Sequence, residues 1–236
     1  MIAGEIDRVQ AASTLAWWLE MGVDVAVDEK ARDWLKPAIE NPPPTPAERP
    51  EPNIAPPSHD TLAELQGWLA SSTELPLASA TARRIMPTGP EDAPIMLLSD
   101  APTLEDLAAG QPIGGEPWAL ATRMLAAIGI KGDEAYVASL SCFHAPGQRL
   151  NEAQLAECAD LARRHILLAR PKRLLLFGDA PARALLGKPL TAARGHLHKI
   201  EGVPTVVTFH PRHLLKRTSD KALAWRDLLL LMEDQA

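Results

Sequence analysis

The chain has 236 residues, of which 46% are apolar and 23% charged, with a formal net charge of −6. That suffices for one substantial domain with an appended arm. No apolar run approaches the ~20 residues of a membrane span. Two cysteines, Cys142 and Cys158, exclude a disulfide scaffold and an all-cysteine four-ligand metal site. The opening Met-Ile-Ala-Gly-Glu-Ile-Asp lacks the basic and apolar regions of a secretory signal, so a cytoplasmic location is expected. Charge is unevenly spread. Between Leu161 and Arg217 there are twelve Lys/Arg and only two acids, Asp179 and Glu201. A basic stretch in an acidic chain is what a phosphate-binding face requires, and it also fits a solvated surface with scattered cations.

Residues 12–22 read as a short amphipathic helix, with Ser13 or Thr14 near its start and Gly22 near its end. Nine of the 22 prolines then fall between Pro37 and Pro57. Proline donates no main-chain hydrogen bond and disfavours helix at the residue before it, so this stretch is an extended linker. The expected organisation is a helical arm over 1–36, a proline-rich linker over 37–58 and one domain over 59–236. Trp17 and Trp18 either fold back onto that domain or dock a partner protein.

Asp60 can cap a helix to about Ala70 that carries Leu62, Leu65, Trp68 and Leu69 on one face. Residues 75–94 read as irregular chain. Four apolar runs follow, Ile95–Ser99, Ala135–Leu140, Arg173–Phe177 and Pro204–Phe209. Helical stretches separate them at Pro117–Ile128, Asn151–Ala169 and Pro181–Leu186, and Lys221–Glu233 closes the chain. Strands alternating with helices define an α/β fold, a three-layer α/β/α sandwich around a four-stranded parallel sheet. Ligands of such sheets bind beyond the carboxyl ends of the strands.

The residues just after each run therefore matter most. They include Asp100, Ser139 and His210, a carboxylate, a hydroxyl and an imidazole that can orient a water and stabilise a developing negative charge. Singly each has an ordinary alternative: Asp100 capping a turn, Ser139 bonding local backbone, His210 as a structural histidine before Pro211.

Several spaced segments together resemble the uracil-DNA glycosylase superfamily, in particular a bacterial branch related to its iron–sulfur enzymes. Ser99-Asp100-Ala101-Pro102-Thr103 stands where that family has Gly-Glu-Ala-Pro-Gly, and Gly110-Gln111-Pro112-Ile113-Gly114 where it has Gly-x-Pro-Phe-Val-Gly. Tyr136–Ser139 matches a strand that normally ends in Asn, and Pro146-Gly147-Gln148-Arg149 the Pro-x-Asn-Arg loop after it. Arg170-Pro171-Lys172 enters the third strand as in this branch. Thr208-Phe209-His210-Pro211-Arg212-His213-Leu214-Leu215 is similar to the closing His-Pro-x-x-Leu-Leu-Arg.

The resemblance implies a DNA partner and removal of uracil or another deaminated base by water attack on the N-glycosidic bond. It casts Asp100 as the group that positions the water and His210 as donor to the leaving base. Ala101, Pro102, Ile113 and Ser139 would line the base pocket. Ser139 offers one hydroxyl where relatives carry a bidentate amide, and Ile113 stands where they carry a stacking aromatic. Arg194, Lys199, Arg212, Lys216 and Arg217 are the expected phosphate partners, with backbone amides near Ala101 and Gly178, and His213 and Leu214 the expected wedge into the duplex. Relatives hold their cluster with four cysteines. Here the N-terminal pair is absent, Leu75 and Phe143 stand near expected ligand places, and no cluster is expected. Two readings follow, a base-excising hydrolase and a DNA-binding or damage-sensing module that has lost turnover.

Overall fold

The computed structural model describes residues 60–79, 81–148 and 150–233. The helix expected over 12–22 with Trp17 and Trp18, the proline-rich linker and Arg149 lie outside the described residues.

The central sheet forms where the apolar runs were read. Strand β1 (Arg83–Arg84) is followed by β2 (Ile95–Ser99), β3 (Ala135–Ser139), β4 (Phe143–His144), β5 (Leu174–Phe177), β6 (Leu197–Ile200) and β7 (Val203–Thr208). The main sheet has the order β3-β2-β5-β7-β6. Its first four strands are parallel, as expected, and β2 and β5 are buried along their whole length. Continuous apolar runs are what a strand covered on both faces requires. The fifth strand, β6, is an addition to the expected four. It runs antiparallel to β7 through the two-residue turn Glu201-Gly202, whose φ values of 49° and 81° are both left-handed. The chain before β2, expected to be irregular, also supplies β1, which pairs antiparallel with β4.

Helices cover both faces. They are α1 (Leu62–Ser71), α2 (Leu104–Ala109), α3 (Gly115–Ala127), α4 (Glu152–Ala169), α5 (Asp179–Leu186), α6 (Leu190–Ala193), α7 (Pro211–Lys216) and α8 (Lys221–Glu233). Met96, Leu98, Ala138, Leu174, Leu176 and Val207 face α4 and α5, burying Ala162, Ile166, Ala182 and Leu185. Ile95, Leu97, Val137, Leu175, Phe177 and Val206 face the other way, against Leu125 of α3 and Leu228 and Leu231 of α8. The period-2 alternation of the strands thus builds two cores and a three-layer sandwich.

Helix α1 begins one residue later than expected. Thr61, not Asp60, is its cap: Thr61 Oγ1 accepts from the Glu64 amide at 3.2 Å, and Glu64 accepts in return from the amides of Thr61 and Asp60. Leu65 and Leu69 pack with Leu75, Leu77, Cys142 and Phe143 in a third apolar cluster. Arg84 lies 4.6 Å over the Phe143 ring and donates to the carbonyls of Leu69 and Ser72 at the end of α1.

Candidate active site

The carboxyl ends of β2, β3 and β7 bring Asp100, Ser139 and His210 to one end of the parallel sheet. Ser99 and Ser139 are register partners across β2 and β3, so their hydroxyls stand side by side on one face. Six buried side-chain polar atoms have no hydrogen-bond partner among the described residues: Ser99 Oγ, Asp100 Oδ1, Ser139 Oγ, His144 Nε2, His210 Nε2 and Arg212 Nε. Ser99, Ser139 and His144 are the last residues of β2, β3 and β4, and Asp100, His210 and Arg212 lie just after β2 and β7. Buried polar atoms normally find partners, so these atoms are available to a polar ligand or to water.

Helix α7 sets the state of His210. Pro211 occupies its first turn, and His210 is its cap, with Nδ1 accepting from the Arg212 amide at 3.0 Å. An acceptor Nδ1 carries no hydrogen, so in the neutral ring the hydrogen sits on Nε2. Burial, reinforced by the positive Arg212, lowers the pKa of His210 to about 3. The ring is therefore a neutral donor over the whole working range.

Arg212 ties this helix to the loop after β2. Its guanidinium donates to Asp106 at 2.8 Å and Thr103 at 3.3 Å, and lies 3.9 Å from Asp100 Oδ1. Asp106 is fully buried and also accepts from the Thr103 amide and hydroxyl and the Gly114 amide, each at 2.7 Å. Gly114 fits because a Cβ there would lie 2.6 Å from Ala109 Cβ. Asp100 is half-exposed as a side chain although Oδ1 is buried. Its pKa is raised, first by burial, against the opposing pull of Arg212.

Two residues of this arrangement escaped the sequence reading. Asp106 carried a local signal, the Thr103-x-x-Asp106 capping pattern, but its bond to Arg212 spans 106 positions. His144 closes the short strand β4, which the apolar runs did not reveal. Its Nδ1 lies 2.7 Å from the Pro102 carbonyl oxygen.

Other expected site residues are placed differently from their assigned roles. Ile113 is fully buried in the same core cluster as Phe177, and its aliphatic side chain has no aromatic face to stack on a base. Leu214, expected to wedge into DNA, is 1% exposed and packs on Leu120 and Ala224. Arg194, expected on phosphate, is bonded to buried Asp227 at 2.8 Å and lies 4.1 Å over the Phe209 ring. Thr208 donates to the same Asp227 carboxylate. Lys199 is exposed, but its place on β6 opposite Pro204 puts it toward the far end of the sheet. His213 stacks on Phe209 and bonds Asp220 at 2.6 Å. The Gly178 amide donates to the Thr208 carbonyl, so it is committed to the sheet. Lys216 and Arg217 are exposed at the end of α7. Arg163, Arg164, Arg170, Arg183, Arg194 and Arg212 all form carboxylate pairs, so half of the twelve basic residues in this stretch are matched within the fold.

The residues present do not fit the iron–sulfur cluster that the resemblance implies. The chain has two cysteines, and both are buried thiols, with burial pushing Cys142 up to about 11 and Cys158 up to about 12. A cluster needs thiolates, usually four. Leu75 and Phe143 join Cys142 in the apolar cluster under α1, and no step below involves a cluster.

Residues 86–229 match the uracil DNA glycosylase superfamily, and the chain belongs to that superfamily. Among characterised relatives it is similar to the type-4 uracil-DNA glycosylase of Archaeoglobus fulgidus, 21% identical over 169 residues that cover 67% of this chain and 85% of the relative. The type-4 uracil-DNA glycosylase of Pyrobaculum aerophilum is 21% identical over 180 residues, covering 72% and 92%. No helix among the described residues is long and apolar enough to cross a membrane.

Proposed function

We propose that this protein is an N-glycosyl hydrolase that removes uracil or another deaminated base from DNA in the cytoplasm. The observation that carries this reading is the neutral His210, whose Nε2–H is buried, unpartnered and fixed in tautomer by the main chain. A base leaving with the electron pair of its C1′–N bond builds negative charge on a ring carbonyl oxygen. A preorganised neutral donor at that oxygen stabilises the charge without giving up its proton. Asp100 orients the water whose oxygen bonds to C1′, and the water's proton passes through the carboxylate to solvent. The nucleotide must leave the helical stack first. Lys216 and Arg217 supply phosphate contacts that hold the strand, while Ser99 and Ser139 meet the polar edge of the extruded base.

A second reading, a DNA-binding module without turnover, is favoured by Ile113, which offers no stacking surface. A labelled oligonucleotide carrying one uracil, incubated with protein and treated with alkali, distinguishes the two. Strand breaks that disappear with His210→Ala and Asp100→Asn support the hydrolase. Intact strands at high protein excess, with salt-sensitive band shifts, support the binder.

A further inference from the structure

His144 has the opposite hydrogen-bonding polarity to His210. A carbonyl oxygen only accepts, so the 2.7 Å contact with Pro102 puts the hydrogen of His144 on Nδ1. The neutral ring then carries a bare lone pair on Nε2, and that atom is buried without a partner. The ring is anchored on a strand, since His144 pairs with Arg83 across β4 and β1. Two imidazoles that adjoin the loop after β2, His144 through Pro102 and His210 through Arg212, are thus fixed by main-chain groups, one as an acceptor and one as a donor. The hydroxyls of Ser99 and Ser139 can take either role and set no polarity of their own.

Deamination changes a base in a matching way. Cytosine and adenine present a bare ring nitrogen next to an amine. Uracil and hypoxanthine present at that position a ring N–H next to a carbonyl. A fixed acceptor bonds the ring N–H of the deaminated base and faces a lone pair on the parent base, leaving both atoms unpaired.

We infer that His144 Nε2 accepts the ring N–H of the extruded base and is the specificity determinant that separates deaminated bases from cytosine and adenine. This rests on the hydrolase reading above and names the residue that takes over part of the work Ser139 cannot do with one hydroxyl.

The test is equilibrium binding of the full chain to oligonucleotides carrying one 2′-fluoro-2′-deoxyuridine or one 2′-fluoro-2′-deoxycytidine, in which the fluorine suppresses cleavage. Wild type is expected to prefer the uridine strand by about tenfold or more, the scale of one hydrogen bond gained and one buried mismatch avoided. His144→Phe is expected to bring the ratio close to one, and His144→Gln, which keeps an acceptor, to retain part of it. An undiminished uridine preference in a folded His144→Phe protein overturns the role of His144 while leaving the hydrolase reading intact. Wild type that neither prefers uridine nor releases uracil overturns the hydrolase reading, and the role of His144 with it.

Discussion

Arg212 donates its main-chain amide to Nδ1 of His210 at 3.0 Å while its guanidinium binds buried Asp106 at 2.8 Å, so one residue fixes both a tautomer and a loop. The imidazole proposed to meet the developing charge is therefore held by the same helix turn that clamps the residues after β2. His210→Ala removes the donor and is expected to lower kcat about 10²–10³-fold with a small change in KM. Single-turnover excision kinetics provide the check, and a loss confined to KM contradicts the assignment.

In the proposed mechanism, Asp100 should govern the acid side of the pH profile. Its pKa is raised above the ordinary carboxylate value by burial, whereas His210 stays neutral down to about 3. The protonated acid orients water poorly, so kcat should fall with decreasing pH at a value above that of a free aspartate. Asp100→Asn should abolish this limb along with about 10²–10⁴-fold of the rate. A limb that persists in the Asn variant assigns the titration to another group.

Buried Asp106 is the keystone of the loop. Asp106→Ala leaves Arg212, the Thr103 amide and the Gly114 amide without their acceptor, and should cost about 3–5 kcal/mol in chemical denaturation. Activity should fall with it, because the Asp100 loop loses its tether to α7.

Two buried histidines make stability depend on pH. Burial lowers His165 to about 4 and His210 to about 3, while both sit near 6.5 when unfolded. The unfolded chain then binds protons the folded chain does not, so stability is complete above about pH 6.5 and is lost as pH falls toward 4. At pH 5 the loss is ~2 kcal/mol for each ring. Thermal melts between pH 7 and pH 5 should show a falling Tm, and His165→Gln should remove about half of that fall. In the fold His165 meets Tyr136 at 2.7 Å, which in turn meets Gln66 at 2.9 Å.

DNA binding separates the exposed cations from the paired ones. Lys216→Ala and Arg217→Ala should each reduce the slope of log K against log salt by about 0.7–0.9. Lys199→Ala, at the far end of the sheet, should leave the slope unchanged. Arg194→Ala should act on thermal stability instead, since it strips buried Asp227 of its cation.

The sheet was legible because β2 and β5 are unbroken apolar runs bounded by Asp, Gly and Pro. Strand β6 was not, because Leu197-His198-Lys199-Ile200 is a short and largely exposed edge. The Glu201-Gly202 turn was its local signal. Asp100, Ser139 and His210 could be read from their positions at strand ends. The burial of Leu214 also had a signal, since Pro211 and Leu214 lie three apart on the inner face of α7. What could not be read were contacts between distant positions. The bond of Asp106 to Arg212 and the contact of His144 with Pro102 are set by how distant loops pack, and sequence spacing carries no trace of that.

Release of free uracil from uracil-containing DNA, measured by chromatography for wild type, Asp100→Asn and His210→Ala, decides whether this chain is a hydrolase. The account predicts stoichiometric or greater release by wild type and at least about 10²-fold slower release by either variant. Equal release by all three proteins, or none from wild type that still binds the strand, contradicts it.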